Sequence, residues 1–516
     1  MEHCRLLLLV IVLKCVVSDV NVDKPRNVLL MLADDGGFEM GAYLNKICQT
    51  PNLNHLAKRS LIFNNAFTSV SSCSPSRSAL LTGMPSHQNG MYGLHQAENH
   101  FNTFDDVKSL PNILRANGIR TGIIGKKHVG PSSVYKFDYE QTEENNSIFQ
   151  VGRNITYMKL LAREFLNNDT QPFFLYVAFH DPHRCGHTNP EFGEFCQRFG
   201  NGDVGMGTIP DWHPIYYVPE QIQLPYYIQD TFEARKDVAV QYTTISRLDQ
   251  GVGLILQELE NSGHLNDTLV IYTSDNGPPF PNGRTNFYDS GIREPMFVSS
   301  PYHTKRRNQV TYSMTSLLDV VPTILDWFNI EDERVTAVND VDSNEILEKS
   351  PLTGKSLLPL LVNEPTNYST EAIFASHNMH EVTMYYPMRA IRTRRYKLIH
   401  NLNYKSPFPI DQDFYVSPSF QDLLNRTRQN EPLHWFKDLA TYYDRPEWEL
   451  FDTKMDPAEL KNLAEKPSQQ KILEELKDRL FQWQKVTKDP WICSPHAVYE
   501  DKGVYKDNPQ CLSLDN

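Results

Sequence analysis

The chain has 516 residues, 40% of them hydrophobic and 22% charged, which is enough apolar material for a large globular core in one big domain or several smaller ones. Fifty Lys and Arg against 63 Asp and Glu leave a net charge of −13, which excludes a broad electrostatic grip on nucleic acid. Mean hydropathy is −0.48, and beyond the extreme N-terminus no apolar run reaches the ~20 residues of a membrane-spanning helix, so no membrane partner is expected.

The first element is the run Leu6 to Leu13, preceded by Arg5, followed by Lys14 and then by the small-residue pattern Val16-Val17-Ser18. It reads as a secretory signal peptide over residues 1–18, against the alternative of a buried N-terminal strand. Six Asn-x-Ser/Thr sequons, at Asn145, Asn154, Asn168, Asn266, Asn367 and Asn425, agree with a glycoprotein of the secretory pathway. Protonation of exposed histidines near pH 5 would offset most of the net negative charge, so a polyanionic partner would not be repelled in an acidic compartment.

Next come continuous apolar runs of the kind that form parallel strands buried on both faces, each ending in polar residues. Asn27 to Ala33 runs into Asp34-Asp35-Gly36-Gly37, and Thr121 to Gly125 into Lys126-Lys127-His128. Phe173 to Phe179 runs into His180-Asp181-Pro182-His183, and Thr268 to Ser274 into Asp275-Asn276-Gly277. Helical patterns lie between them, such as Leu53, Leu56 and Ala57, or Val252, Leu256 and Leu259 before Gly263. In open α/β sheets ligands bind beyond the carboxyl ends of strands, so these four exits are the expected site.

Asp34, Asp35, Asp275 and Asn276 form an all-oxygen set, suited to a hard cation and to Ca²⁺ in particular. Turn and helix-cap chemistry is the competing explanation for Asp-Asp-Gly-Gly. Lys126 and His128, at i and i+2, share a face if the extended conformation persists, and Lys127 then points away. Arg77 sits one turn beyond Cys73 if a helix starts there.

After about residue 375 the pattern shortens and alternates, as in Arg395 to His400, and a helix presents Ile472, Leu473, Leu476, Leu480 and Trp483 on one face. A smaller C-terminal α+β domain is expected over residues 376–516, after a catalytic domain over 19–375. Ser376 to Glu381 reads as a solvated loop near the site, and Glu331 to Lys349 as an acidic surface loop. Outside the leader there are six cysteines. Cys185 with Cys196, and Cys493 with Cys511, would close short loops as disulfides, while Cys48 and Cys73 are left and could pair.

The most specific stretch is Cys73-Ser74-Pro75-Ser76-Arg77 followed by Leu81-Thr82-Gly83, which resembles the signature of the sulfatase family. Gly125-Lys126-Lys127-His128, the two acidic strand exits, and Trp448 to Asp452 with Asp456-Pro457 and Asn462-Leu463 resemble further motifs of that family. The longer runs Ser69 to Arg77, Gln88 to His95, Phe179 to Cys185 and Pro407 to Tyr415 resemble the branch that removes sulfate from the nitrogen of terminal glucosamine during lysosomal heparan sulfate degradation.

The resemblance implies an alkaline-phosphatase-like fold: a large, mixed, mostly parallel sheet between helix layers, with an antiparallel sheet in the smaller domain. It implies a formylglycine made from Cys73 by a formylglycine-generating enzyme, calcium held by Asp34, Asp35, residue 73, Asp275 and Asn276, and a homodimer. A hydrated aldehyde offers two hydroxyls on one carbon, one to attack sulfur and one to expel sulfate. Arg77 would hold that hydrate, Lys126 would meet sulfate charge, and His128 would act on the hydroxyl that eliminates sulfate. His183 would donate a proton to the leaving nitrogen. Arg284 would clamp sulfate, and Asp181 would hold the sugar. Cys48 has no role in this picture. A phosphoryl-transfer enzyme of the same broad fold would need a Ser or Thr nucleophile and usually zinc ligands, and a silent glycan-binding protein would show damage in the metal or Lys/His motifs.

Overall fold

The computed structural model describes residues 26–146, 150–168, 171–185, 194–332, 334, 351–367 and 371–514. The expected signal peptide and most of the stretch Glu331 to Lys349 lie outside the described residues.

The apolar runs form strands because their side chains can be covered on both faces. The first nine are β1 (Asn27–Asp34), β2 (Leu61–Phe67), β3 (Arg120–Gly125), β4 (Tyr139–Thr142), β5 (Phe173–Pro182), β6 (Thr268–Ser274), β7 (Arg293–Ser299), β8 (Gln309–Thr311) and β9 (Thr315–Ser316). They make one sheet in the order β4-β3-β5-β1-β6-β7-β2-β8, with β9 also on β2. From β4 to β6 all neighbours are parallel, and β7 runs antiparallel to both β6 and β2.

Every residue of β1 is buried, and alternate side chains enter opposite layers. Leu29, Met31 and Ala33 pack with Leu248, Val252, Ile255 and Leu259 of the long helix Phe232–Asn261. Val28, Leu30 and Leu32 pack in the other layer with Leu80 and Leu81 of helix Cys73–Thr82 and with Val320, Val321 and Ile324 of helix Val320–Phe328. Each of the larger of these side chains contributes roughly 1.5–3 kcal/mol by leaving water. The long helix is bounded by chemistry: the Thr231 side chain accepts from Ala234 N–H at its start, and Gly263 takes φ +83° just past its end.

A second, antiparallel sheet has the order β10 (Ala372–Met379), β11 (Tyr385–Thr393), β12 (Tyr396–Asn401), β13 (Trp448–Asp452). Helix Gln470–Val486 covers it, with Leu473, Leu476, Leu480 and Trp483 against Ile391, Leu398 and Leu450. β10 opens at Ala372, so the expected boundary after residue 375 falls within this strand. Ser376, His377 and Asn378 are buried within β10, and His380 just beyond it is buried too, so this segment is not the solvated loop its polarity suggested. Disulfides join Cys185 to Cys196 and Cys493 to Cys511, while Cys48 and Cys73 are both buried and free. Among the described residues no helix is long and apolar enough to cross a membrane.

The two sheets meet at His87, whose Nε2 lies 2.8 Å from Thr487 Oγ1 and whose ring abuts Trp483 edge-on. Burial pushes the His87 pKa down to about 4, despite the nearby Asp489 carboxylate. A histidine free in the unfolded chain titrates near 6.5, so between about pH 6.5 and 4 the unfolded state binds the extra proton and His87 loses stability for the fold as pH falls. The variant His87→Gln is expected to show a shallower decline of Tm over that window than the parent. Parallel curves in melts from pH 7 to 4.5 would remove His87 from the account.

Candidate active site

The parallel strands bring their polar exits to one edge of the sheet. Between Leu32 and Asp34 the β1/β5 register shifts, setting Asp34 opposite Pro182 and bringing the β5 exit beside the β1 exit. Helix Cys73–Thr82 begins at Cys73, so Arg77 lies on its second turn, facing the same point. Arg77 donates from Nε to Asp275 Oδ2 at 2.9 Å and from Nη1 to the Lys126 carbonyl at 2.7 Å. Lys126 Nζ reaches Asp34 Oδ2 at 2.5 Å. Asp35 N–H donates to Asp275 Oδ1 at 3.1 Å, and Asn276 Nδ2 donates to Asp35 Oδ1 at 2.7 Å. One donor atom from each of Asp34, Cys73 and Asp275 lies within 4.8 Å of the other two, as do atoms of Asp35, Cys73 and His183.

This is a dense set of buried charges, and its electrostatics separate the groups. Burial alone would raise the Asp34 carboxyl, but Lys126 and Arg77 outweigh it and hold Asp34 well below the usual range. Burial raises Asp35 well above that range against Arg284, with Asp34 and Asp275 adding to the rise, and it lifts Asp275 to about 6 against Arg77. Burial likewise pushes the Cys73 thiol far up, with Lys126 opposing and the three carboxylates assisting, so an unmodified Cys73 is a poor nucleophile. These residues fit a cation: Asn276 Oδ1 is buried with no hydrogen-bond partner, and three fully buried carboxylates lie beside it. The donors are hard oxygens apart from the thiol.

Above this floor opens a cavity of about 720 Å³, lined by Cys73, Lys126, His128 and His183 together with Glu143, His180, His380 and Asp413. The extended conformation does not continue from β3, because Gly125 takes φ +104° and His128 φ +56°. Both Lys126 and His128 line the cavity even so, while Lys127 pairs with Glu140. Burial, with Lys126 and Arg77 adding to it, holds His128 neutral, and neither ring nitrogen has a partner. His183 Nδ1 lies 2.5 Å from the Arg184 carbonyl, so it carries the ring proton and Nε2 is the free nitrogen. Nε2 stands 3.0 Å from Arg284 Nη1 and 3.4 Å from Asp413 Oδ2. Burial first, and then Lys126, pushes the His183 pKa well down.

Two expected substrate contacts do not line the cavity in this arrangement. The Asp181 carboxylate does not line the cavity; it is buried between Arg153 at 2.6 Å and Arg247 at 2.7 Å. Arg153 also donates to the His183 carbonyl at 3.0 Å, so this cluster holds the loop that carries His183. Removing the charge leaves two buried guanidiniums short of an anion, and Asp181→Asn is expected to lose about 3–5 kcal/mol of stability in urea unfolding. Parent-like stability with a raised KM would return Asp181 to the substrate. Arg284 is fully buried and its donors are committed to Asp35, Asp411, Asp413 and His183, so in this arrangement it orders the carboxylates and the imidazole at the cavity floor.

Sequence reasoning did not single out Glu143, His180, Asp411 or Asp413, nor give His380 a defined role. His180 Nδ1 lies 2.7 Å from Glu143, and His380 Nδ1 lies 2.8 Å from Ser72 Oγ, directly before Cys73. The adjacency of Asp411 and Asp413 within Pro407 to Tyr415 was the only available signal for that pair. Cys48 is buried in a separate apolar cluster with Tyr242 and Ile245, away from this cavity.

The chain matches known proteins over most of its length. A family model described as sulfatase matches residues 26–330, and one described as N-sulphoglucosamine sulphohydrolase, C-terminal, matches residues 427–486. The chain is 59% identical over 494 residues to the human protein named N-sulphoglucosamine sulphohydrolase, covering 96% of each chain. It is 26% identical to an ulvan-active sulfatase of Formosa agariphila, over 90% of this chain and 76% of that one. Among solved structures, one of a protein bound to its substrate D-glucosamine-2-N,6-O-disulfate aligns with a TM-score of 0.61 at 21% identity, covering 90% of this chain and 99% of that one, a likeness of fold.

Proposed function

This chain belongs to the sulfatase family, and from that premise we propose that it is a lysosomal hydrolase that removes the N-linked sulfate from terminal N-sulfoglucosamine residues of heparan sulfate. The observation that carries the reaction class is Cys73 at the start of a helix, at the base of a cavity shared with Lys126, His128 and His183 and directly over the buried carboxylates. What favours N-sulfate is the extent of the likeness to the human relative, along nearly the whole of both chains.

Asp34, Asp35, Asp275 and Asn276, with residue 73, would hold calcium, which supplies positive charge against the sulfo oxygens. A formylglycine at residue 73, hydrated, would supply one hydroxyl to attack sulfur and a second to release sulfate. The other steps belong to side chains in place. Arg77, anchored on Asp275 and the Lys126 carbonyl, orients residue 73 from below. Lys126, kept protonated by Asp34 against the cost of burial, offers charge to the transferred group. His128 is neutral even in acid, so it can take a proton at residue 73 when sulfate leaves. His183, its tautomer set by the Arg184 carbonyl, presents Nε2 toward the cavity; burial holds the ring neutral, so it would first take up a proton, which Asp413 beside it would stabilise, and then pass that proton to the leaving nitrogen. Maturation by a formylglycine-generating enzyme, glycosylation and a homodimeric state belong to the same reading.

The test is release of sulfate by the purified protein from N-sulfoglucosamine and from 6-O-sulfated glucosamine at acidic pH. Turnover of the first and little of the second is expected; preference for the 6-O-sulfate would replace the substrate assignment while leaving the family in place.

A further inference from the structure

A second cavity, of about 310 Å³, opens behind the same strand exits, lined by Gly37, Phe38 and Glu39 after Asp35, by Pro278 after Asn276, and by Tyr226 and Arg293. None of these residues lines the catalytic cavity. Glu39 is only 5% exposed, and its Oε2 has no hydrogen-bond partner. A buried carboxyl whose second oxygen has no partner among the described residues is costly, so its presence at a cavity wall points to something that pairs with it. The absence of a side chain at Gly37 leaves it room: a Cβ there would collide with the Glu39 carboxylate and lie 2.8 Å from Pro278 Cγ.

Arg293 supplies the opposite chemistry. Its Nε and Nη2 donate to Asn64, and its guanidinium lies 4.8 Å over the Phe38 ring, while Nη1 makes no hydrogen bond to a described residue. The Asp289 carboxylate lines the same cavity but is held by Arg392 and Lys397, so it leaves the Arg293 charge for a ligand. Burial pushes the Glu39 carboxyl up to about 7, so in mild acid it is a neutral group that both donates and accepts, as a sugar hydroxyl requires. Tyr226, about half exposed, offers a ring at the mouth.

We propose that this cavity is a second binding site, for a sulfated hexosamine unit, with Arg293 on the sulfate, Glu39 on hydroxyls and Tyr226 against the ring. Free sulfate shares the anion chemistry, but it would leave Glu39 and the aromatic wall unused in a cavity at the lower end of small-ligand size. The choice of sugar rests on the function proposed above.

Calorimetric titration of the intact protein with glucosamine 6-O-sulfate tests this. A binding event is expected that Arg293→Gln and Tyr226→Ala each weaken at least tenfold, that Lys126→Ala leaves intact, and that inorganic sulfate does not reproduce at the same affinity. The Arg293 and Tyr226 variants should keep parental sulfate release from N-sulfoglucosamine, which also shows that they fold. No binding, or binding lost in Lys126→Ala and unchanged in the other two, overturns the site. Equal affinity for inorganic sulfate overturns the sugar assignment. Failure of the parent to hydrolyse N-sulfoglucosamine would strike the catalytic reading alone, because the titration does not depend on turnover.

Discussion

Replacing Cys73 with alanine is expected to abolish sulfate release, by a factor on the order of 10⁵–10⁶, as removal of a nucleophile does in hydrolases. The thermal transition should stay close to the parent's, because the thiol is small and no disulfide depends on it. Cys73→Ser separates the two hydroxyl roles. A serine has one hydroxyl, enough to attack sulfur but with no second to expel sulfate, so it should release about one equivalent of amine per chain and no free sulfate. Steady turnover by either variant, measured by ion chromatography of sulfate against amine, would disprove a role for residue 73 in the chemistry. The raised thiol pKa adds that the unmodified cysteine is no substitute, so activity should track the fraction of chains whose Cys73 peptide is oxidised.

The second large effect is at His183. Loss of a general acid costs about 10²–10⁴-fold in rate, and His183→Ala and His183→Gln should lower kcat by that factor with KM little changed. An amine departs poorly as an anion, so the deficit should be large on the N-sulfate and much smaller on an activated aryl sulfate, whose leaving oxygen is stable without a proton. In the ligand-free arrangement Nε2 accepts from Arg284, which has to yield before that nitrogen can carry a proton toward substrate. Equal losses on both substrates would make His183 a binding group and not the acid.

What could be read from the chain, and what could not, follows from the range of the interactions. The exits at Asp34, Lys126, His183 and Asp275 were legible because each follows an apolar run whose end is a local property of the sequence. Asp181 lies within one exit and Arg284 in the loop beyond another, but both belong to networks with partners far along the chain: Arg153 and Arg247 for the one, Asp411 and Asp413 for the other. Spacing carries no information about such partners. Lys126 and His128 reach one cavity by left-handed backbone at Gly125 and His128, so the expected contact came from a different geometry than strand alternation. Glu143 follows β4, an edge strand reading Tyr-Glu-Gln-Thr, with no apolar run to mark it. The stretch Ser376 to His380 was misread because buried polar residues on and just after a strand look like a loop until their neighbours are known.

The second sheet is stitched to the segment around Cys73. Ser376 N–H donates to the Ser69 carbonyl at 2.8 Å, His380 meets Ser72, and Asp411 with Asp413 grips Arg284. The reaction centre is therefore assembled from both ends of the gene, and inheritance sees it as one unit. A premature stop before codon 372 should yield no residual enzyme, and a chimera joining residues up to 371 to the C-terminal part of a distant relative should fail unless these contacts are transplanted with it. Divergence within the family would then proceed by coordinated change in the two parts, more readily than by exchange of one for another.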